Sequence, residues 1–363
     1  MHIAPKIVYA SWIAMLLTAC GSAPTNPCSD KEMLGKLIFN DAALSQPAGQ
    51  SCATCHDIAK GFSDEKRRAV SEGAVRGLYS QRNSMSICYV KYVPSLHYDE
   101  VDSTYVGGLF WDGRSPSLQH QAGVPFLNPV EMGNADKKMV VEKVKRAAYY
   151  PRLVRLYGDT DNIDSLYAYI TDALAAYESS REVSPFSSKF DAYQKGECRL
   201  TAQEMRGMEL FQGRGLCANC HIMESDERAH RILFTDHTYD NLGLPKNPDN
   251  PHYRVSAPYF LLTSDSIDLG LGPIVGSEEE NGKFRVPSLR NIELTAPYGH
   301  NGYFKTLEEI VHFYNVRDAG NEFPPAEYPA TVNRDELGNL KLTAEEEADV
   351  VAFMKTLTDG YFR

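Results

Sequence analysis

Hydrophobic residues recur with helical spacing in several segments of the chain. From residue 163 to 177 they return every three or four positions, which predicts a long amphipathic helix. Four other segments open with Ser or Thr followed three positions later by Glu, the capping-box pattern of a helix start. Strand patterns are few, so we expect a mainly α-helical fold. The four capped helices should begin after Ser29, Thr201, Thr306 and Thr343.

Each half of the chain repeats one order of elements. A capped helix comes first, then a turn rich in Gly, then a Cys-x-x-Cys-His motif. The apolar side of the first helix is predicted to contain Met33, Leu34, Leu37 and Ile38. The corresponding helix of the second half carries Met205, Met208 and Phe211.

The two Cys-x-x-Cys-His motifs are Cys52 to His56 and Cys217 to His221. This is the attachment pattern of haem c: Cys52, Cys55, Cys217 and Cys220 would form thioether bonds, and His56 and His221 would bind iron. A thioredoxin-like redox pair and half of a zinc site are the alternatives. Neither needs the trailing His, and paired zinc ligands usually lie closer in sequence than these motifs, whose histidines are 165 positions apart.

The repeat predicts two tandem cytochrome c-like haem domains with long loops, at 28–180 and 196–363. The polar segment 179–197 would separate them, and 223–281, rich in Pro, Gly, Asp and Asn, would form a long loop region. Three cysteines remain, and an exported protein could join two of them in a disulfide. The sequence does not select the pair among Cys28, Cys88 and Cys198.

The first 20 residues are predicted to be a signal peptide. Lys6 precedes a short apolar run, and the segment ending at Cys20 matches a lipobox, so Cys20 would carry the lipid. The alternative is ordinary cleavage near Ala19. Because Gly21 rather than Asp follows Cys20, resemblance to sorted lipoproteins favours the periplasmic side of the outer membrane.

The charge balance excludes one class of partner. The chain has 48 acidic and 37 basic residues, a net charge of −11, which disfavours nucleic-acid binding. No later apolar stretch approaches the ~20 residues that span a bilayer, so we expect membrane contact through the lipid anchor alone.

Several segments together resemble the bacterial di-haem cytochrome c peroxidase family, which includes MauG. The resemblance covers nearly the whole chain after the signal peptide. Besides the two haem motifs, the matching segments are Leu34–Phe39, Arg82–Met85, Phe110–Arg114, Asn128–Met132, Phe284–Asn291 and Leu294–His300.

The resemblance implies roles for individual residues. Glu131 matches the glutamate beside the peroxidatic haem, here the first one, and would move the proton during peroxide cleavage. Gln121 matches another polar residue of that pocket, and Trp111 matches the tryptophan between the haems. A calcium ion would be bound by the Asn83 side chain and by the backbone carbonyls of Thr295 and Pro297. His300 would position the nearby helix or a water molecule.

Two departures from the conventional members indicate the MauG-like branch of that family. Conventional members have a His after the first motif that ligates the first iron at rest, and residues 71–86 contain no His. The first haem should therefore be five-coordinate or water-ligated, with His97 and His120 as the remaining candidates. The second haem would be ligated by Tyr314, as in MauG-like proteins, where conventional peroxidases have Met. A phenolate ligand favours oxidised iron and a low potential.

These features predict an exported enzyme that uses hydrogen peroxide to oxidise a partner protein through high-valent haem. One alternative is a conventional peroxidase that takes electrons from a small cytochrome or cupredoxin. Another is a di-haem electron-transfer cytochrome without catalysis. Some MauG relatives carry a surface tryptophan where this chain has Gly215, so the identity of the partner does not follow from the resemblance.

Overall fold

The computed structural model describes residues 29–255, 263 and 265–361. Within them the chain forms eleven α-helices joined by long loops. The helices are α1 Asp30–Phe39, α2 Cys52–Cys55, α3 Leu118–Leu127, α4 Lys137–Lys145, α5 Tyr150–Tyr157, α6 Ile163–Glu178, α7 Lys189–Gln194, α8 Ala202–Gln212, α9 Gly272–Val275, α10 Leu307–Val316 and α11 Ala344–Lys355.

The β-structure in the described part of the chain consists of three antiparallel pairs of short strands. The pair β5–β6 matters for the site, because it aligns Tyr239 with Arg285 and Asp240 with Phe284. The strands are β1 His97–Asp99, β2 Thr104–Val106, β3 Ser225–Asp226, β4 Arg231–Ile232, β5 Tyr239–Asp240 and β6 Phe284–Arg285. The mainly α-helical prediction is therefore confirmed.

All four predicted capping boxes are present, at the starts of α1, α8, α10 and α11. In each, the Ser or Thr oxygen accepts a hydrogen bond from the backbone N–H of the Glu, and the Glu side chain accepts one in return. The long helix predicted from residue 163 is α6. Helix α7 was not predicted; Ser188 and Asp191 form its capping box.

The apolar side predicted for α1 was wrong at two positions. Leu34 and Ile38 are buried, but Met33 and Leu37 remain 38% and 41% exposed. The reason is that α1 crosses α6 along a narrow stripe, in which Gly35 and Phe39 accompany Leu34 and Ile38.

A glycine allows close helix contact in each half of the chain. A Cβ atom added at Gly35 of α1 would lie 1.9 Å from the Ala173 carbonyl oxygen of α6. One added at Gly207 of α8 would lie 1.9 Å from the Asp349 carbonyl oxygen of α11. Both helix pairs therefore depend on a residue without a side chain at the point of closest approach.

The buried apolar residues form two clusters, one drawn from residues 34–183 and the other from 190–357. Val183 is the last buried residue of the first cluster, and Phe190 is the first of the second. Cys88 and Cys198 are both thiols, so they do not pair with each other, and Cys28 lies outside the described residues. So do the predicted signal peptide and Cys20. None of the described helices is long and apolar enough to cross a membrane.

Candidate active site

The first Cys-x-x-Cys-His motif faces a cavity in the first half of the chain. Its two thiols sit on α2, and both line the cavity together with His56. The His56 Nδ1 atom lies 3.1 Å from the carbonyl oxygen of Phe62. A carbonyl only accepts, so Nδ1 carries the proton and Nε2 keeps its lone pair. Burial lowers the pKa of His56, which keeps the ring in the neutral form that binds metals.

The second motif has the same arrangement. Cys217, Cys220 and His221 line a second cavity, and His221 Nδ1 lies 3.0 Å from the Phe234 carbonyl oxygen. Burial lowers the pKa of His221 to about 4. In both motifs a backbone carbonyl thus orients the ring with Nε2 as the ligand atom, a common arrangement for metal-binding histidines.

Both cavities suit a covalently attached haem. Their empty volumes, mouths included, are about 1330 Å³ for the first and 2100 Å³ for the second. Each has two thiols for the porphyrin edge and an imidazole with a free lone pair, the donor set that haem c requires. The lining of the second cavity is largely apolar, and that of the first is mixed. The residues present therefore fit the cofactor.

One wall is common to the two cavities. Trp111 belongs to it: its indole Nε1 donates a hydrogen bond to the Asn83 carbonyl oxygen at 2.8 Å, and its own carbonyl accepts one from Arg285 N at 2.9 Å. The indole is thus fixed between the cavities by backbone contacts. The residues that line both cavities are Asn83, Ser84, Met85, Ser86, Val90, Trp111 and Arg285.

The first cavity contains the polar residues expected beside its haem. Glu131 and Gln121 both line it. The Asn128 side chain donates a hydrogen bond to Glu131 Oε1 at 2.9 Å. Burial raises the pKa of Glu131, and the charge of Arg114 and the Asn128 hydrogen bond oppose this only in part. The raised pKa favours the protonated form more than in an ordinary glutamate, which suits a group that accepts and returns a proton.

A second buried glutamate of this cavity was not found from the sequence. Glu178, at the end of α6, is 5% exposed and lines the cavity on the side of Cys52. Its Oε2 atom has no hydrogen-bond partner among the described residues, and burial raises its pKa to about 8. In the sequence, a Glu closing a helix looks like an ordinary polar helix end.

Helix α10 contributes Tyr314 to the second cavity, and no glutamate of α10 lines that cavity. Tyr314 lines it together with Leu307, Ile310 and Val311 of the same helix. Burial raises the pKa of Tyr314. Its phenolic oxygen makes no hydrogen bond within the described residues, so that oxygen is available to bind a group in the cavity.

The three residues of the predicted calcium site line the second cavity. The amide of the Asn83 side chain donates to the Ala69 carbonyl at 3.0 Å, which leaves Asn83 Oδ1 free to accept. Thr295 and Pro297 flank Ala296, whose peptide bond to Pro297 is cis. His300 stacks on Phe284 with ring centroids 3.6 Å apart.

The two remaining histidine candidates do not line the first cavity. His97 is exposed on β1, where its Nδ1 contacts the Ser95 carbonyl at 2.9 Å. His120, on α3, has its Nδ1 2.6 Å from the hydroxyl of Ser115. Both rings therefore have local partners instead of facing that cavity.

Comparison with known proteins gives one consistent result. Residues 29–199 match the family model described as di-haem cytochrome c peroxidase. The methylamine utilization protein MauG of Paracoccus denitrificans is 35% identical, over 96% of this chain and 94% of its own. The cytochrome-c peroxidase IdrP1 of a Pseudomonas species is 32% identical, over 92% and 82%.

A solved structure agrees with these sequence relatives. The di-haem peroxidase BthA of Burkholderia thailandensis is 33% identical and superposes with a TM-score of 0.82, covering 92% of this chain and 87% of that one. The family implies two haems c and a peroxidase-type oxidoreductase. This chain therefore belongs to the di-haem cytochrome c peroxidase family, which includes MauG.

Proposed function

We propose that the protein uses hydrogen peroxide to oxidise a partner protein, as a MauG-type member of its family. The observation that carries the proposal is Tyr314, whose phenolic oxygen faces the second cavity with no hydrogen-bond partner in the described part of the chain. As a ligand to the second iron, an anionic oxygen would stabilise the oxidised metal much better than the Met of conventional relatives.

The first cavity supplies the peroxide chemistry in this proposal. Its haem, bound through Cys52, Cys55 and His56, would provide an iron that binds the substrate oxygen, and the two haems together would supply the two electrons that reduce peroxide. Glu131 would take a proton from one peroxide oxygen and return it to the other, which becomes water. Asn128 holds the carboxyl group in place, and Gln121 offers a polar contact to the substrate.

Trp111 would connect the two sites. Indole is oxidisable, and this side chain belongs to the wall that both cavities share. The Asn83 carbonyl accepts its N–H, and the same residue's free Oδ1 would join the Thr295 and Pro297 carbonyls in binding Ca²⁺. An ion bound there would hold the wall against the second half of the chain.

The location and domain division belong to the same proposal. The enzyme would be attached by a lipid at Cys20 on the periplasmic side of the outer membrane. Its domains would comprise 28–180 and 196–363, each with one haem. The partner would be another exported protein that docks outside both cavities.

A conventional peroxidase fed by a small cytochrome or cupredoxin is the second candidate. Its support is the 32% identity to IdrP1, which is named a cytochrome-c peroxidase. The two candidates differ in whether peroxide reacts with the fully oxidised protein or only after one haem is reduced.

The test is to add one equivalent of hydrogen peroxide to the ferric protein and follow its electron paramagnetic resonance spectrum. We expect a high-spin signal before addition, from the first haem, and its rapid loss without prior reduction. The matched control is Glu131→Gln, which should show the same starting signal and a much slower loss. A ferric protein that reacts only after half-reduction would contradict the proposal and support the second candidate.

A further inference from the structure

The wall between the cavities contains a buried cation without a counter-charge. Arg285, on β6, is 6% exposed and lines both cavities. Its guanidinium group reaches only the Phe110 carbonyl oxygen, at 3.4 Å, and the sulfur of Met85, at 3.7 Å. Neither is a charged partner, and no carboxylate among the described residues forms an ion pair with it.

Two other arginines of this region, one buried and one partly buried, are neutralised. Arg290, five positions later and also lining the second cavity, is 1% exposed, and its two terminal nitrogens each lie 3.0 Å from an oxygen of Asp191. Arg82, in the wall of the first cavity, pairs with Asp112 at 2.6 Å and Asp268 at 2.7 Å. Arg285 is therefore the exception.

A buried charge without a partner strongly destabilises the folded state. Folded proteins retain such a group only where something compensates it. Because the Arg285 side chain faces both cavities, the compensating anion should enter from the cavities. Burial without a partner lowers the pKa of Arg285, in agreement with this need.

A histidine close to Arg285 is also buried without a partner for its polar atoms. His237 is 5% exposed and lines the second cavity only. Neither of its ring nitrogens has a hydrogen-bond partner in the structure described here. Burial, and after it the nearby charge of Arg285, lowers the pKa of His237 to about 3, so its ring is neutral and carries one N–H to donate.

We propose that Arg285 is an anion-binding residue for the propionate carboxylates of both haems, and that His237 donates a further hydrogen bond to the second haem alone. Each haem carries two such carboxylates. This inference rests on the presence of two haems, which the family implies, and is independent of the peroxide chemistry.

A shared cation has a measurable electrostatic consequence. A positive charge near a haem disfavours the ferric state relative to the ferrous state, because the ferric iron carries one more positive charge. In a buried wall this interaction is screened less than at the surface. Removing the charge of Arg285 should therefore lower the reduction potentials of both haems.

The experiment compares Arg285→Met with Arg285→Lys in the full-length holoprotein. Mass spectrometry first confirms two attached haems, and spectroelectrochemistry then gives the two potentials. We expect the Met variant to shift the ferric–ferrous equilibrium of each haem at least tenfold towards ferric, about 59 mV for one electron. The Lys variant, which keeps the charge, should shift both much less.

A second variant tests the assignment without removing a charge. His237→Phe, which removes the ring N–H, should lower the potential of the second haem and leave the first unchanged, because His237 lines one cavity only. Should the Met variant fail to accumulate with two haems, Arg285→Gln takes its place in the same comparison. Unchanged potentials in the variants that remove the charge of Arg285, or equal shifts of both haems in His237→Phe, would overturn the proposal.

Discussion

The two haem sites have one attachment design and different surroundings. In each, two thiols and a histidine follow a capped helix, and a Phe carbonyl orients the histidine ring. Beyond the motif they differ. Glu131 and Glu178 line the first cavity, whereas helix α10 contributes Tyr314 and aliphatic residues to the second, whose carboxyl groups come from other segments.

In the proposed assignment, attachment and reactivity are encoded at different distances along the chain. Attachment would need only five consecutive residues and a nearby carbonyl. Reactivity would need segments far apart in sequence: Glu131 lies 75 positions after His56, and Tyr314 lies 93 positions after His221. One cofactor can therefore serve two purposes, because the fold surrounds each copy with different chemistry.

The largest expected effect comes from removing the attachment sites one at a time. Cys52→Ser with Cys55→Ser should leave one haem per chain and abolish both the high-spin ferric signal and the reaction with peroxide. Cys217→Ser with Cys220→Ser should also leave one haem but keep the high-spin signal. Mass spectrometry and electron paramagnetic resonance check this, and loss of the high-spin signal in the second pair instead of the first would reverse our assignment of the sites.

Glu131→Gln should slow the peroxide reaction by about 10²–10⁴-fold, the usual contribution of a positioned acid–base group. The ionised form accepts the first proton, and burial raises the pKa of Glu131. The wild-type rate should therefore fall with decreasing pH at a higher value than for an ordinary glutamate, and the Gln variant should lack this dependence. Stopped-flow absorbance measures both.

The control for that prediction is Glu178→Gln, the same substitution in the same cavity on the side of Cys52. Because the account gives Glu178 no part in proton transfer, its rate should stay within about threefold of wild type, well short of one general acid–base contribution. Equal losses in the two variants would contradict the role of Glu131.

Matched substitutions at the helix crossings compare the two halves as folding units. Gly35→Ala and Gly207→Ala should each lower the free energy of unfolding by about 1–3 kcal/mol, because the new methyl group would overlap a backbone carbonyl that cannot move aside. Gly320→Ala, where a Cβ meets nothing within 4 Å, is the control. Urea unfolding followed by circular dichroism measures all three, and unchanged stability at either crossing would refute the close contact there.

Much of the fold was predictable because helix starts are local. The capping boxes at Ser29, Thr201, Thr306 and Thr343 need only a side chain and a backbone N–H three positions away. Helix α7 escaped prediction because its Ser188–Asp191 box stands in a short polar segment without apolar periodicity. The exposure of Met33 and Leu37 depends on how narrowly α1 contacts α6, which periodicity alone does not encode.

The sequence singles out site residues only where a motif carries them. The haem motifs stand out by their spacing, and Glu131, Trp111 and Tyr314 follow from family resemblance; their roles stay predictions. Glu178, His237 and Arg285 were missed, because each looks ordinary in sequence and stands out only by burial without a partner. Whether a buried polar group has a partner depends on segments far away in the sequence, so it can be judged only from the folded structure.

The central claim is that Tyr314 would be a ligand of the second iron, whereas the first iron would keep a position at which peroxide can bind. The most direct measurement is the electron paramagnetic resonance spectrum of the ferric Tyr314→Phe protein beside the wild type. The account predicts one high-spin and one low-spin haem in the wild type, and loss of that low-spin signal in the variant with the high-spin signal of the first haem retained. An unchanged low-spin signal after the substitution would contradict it.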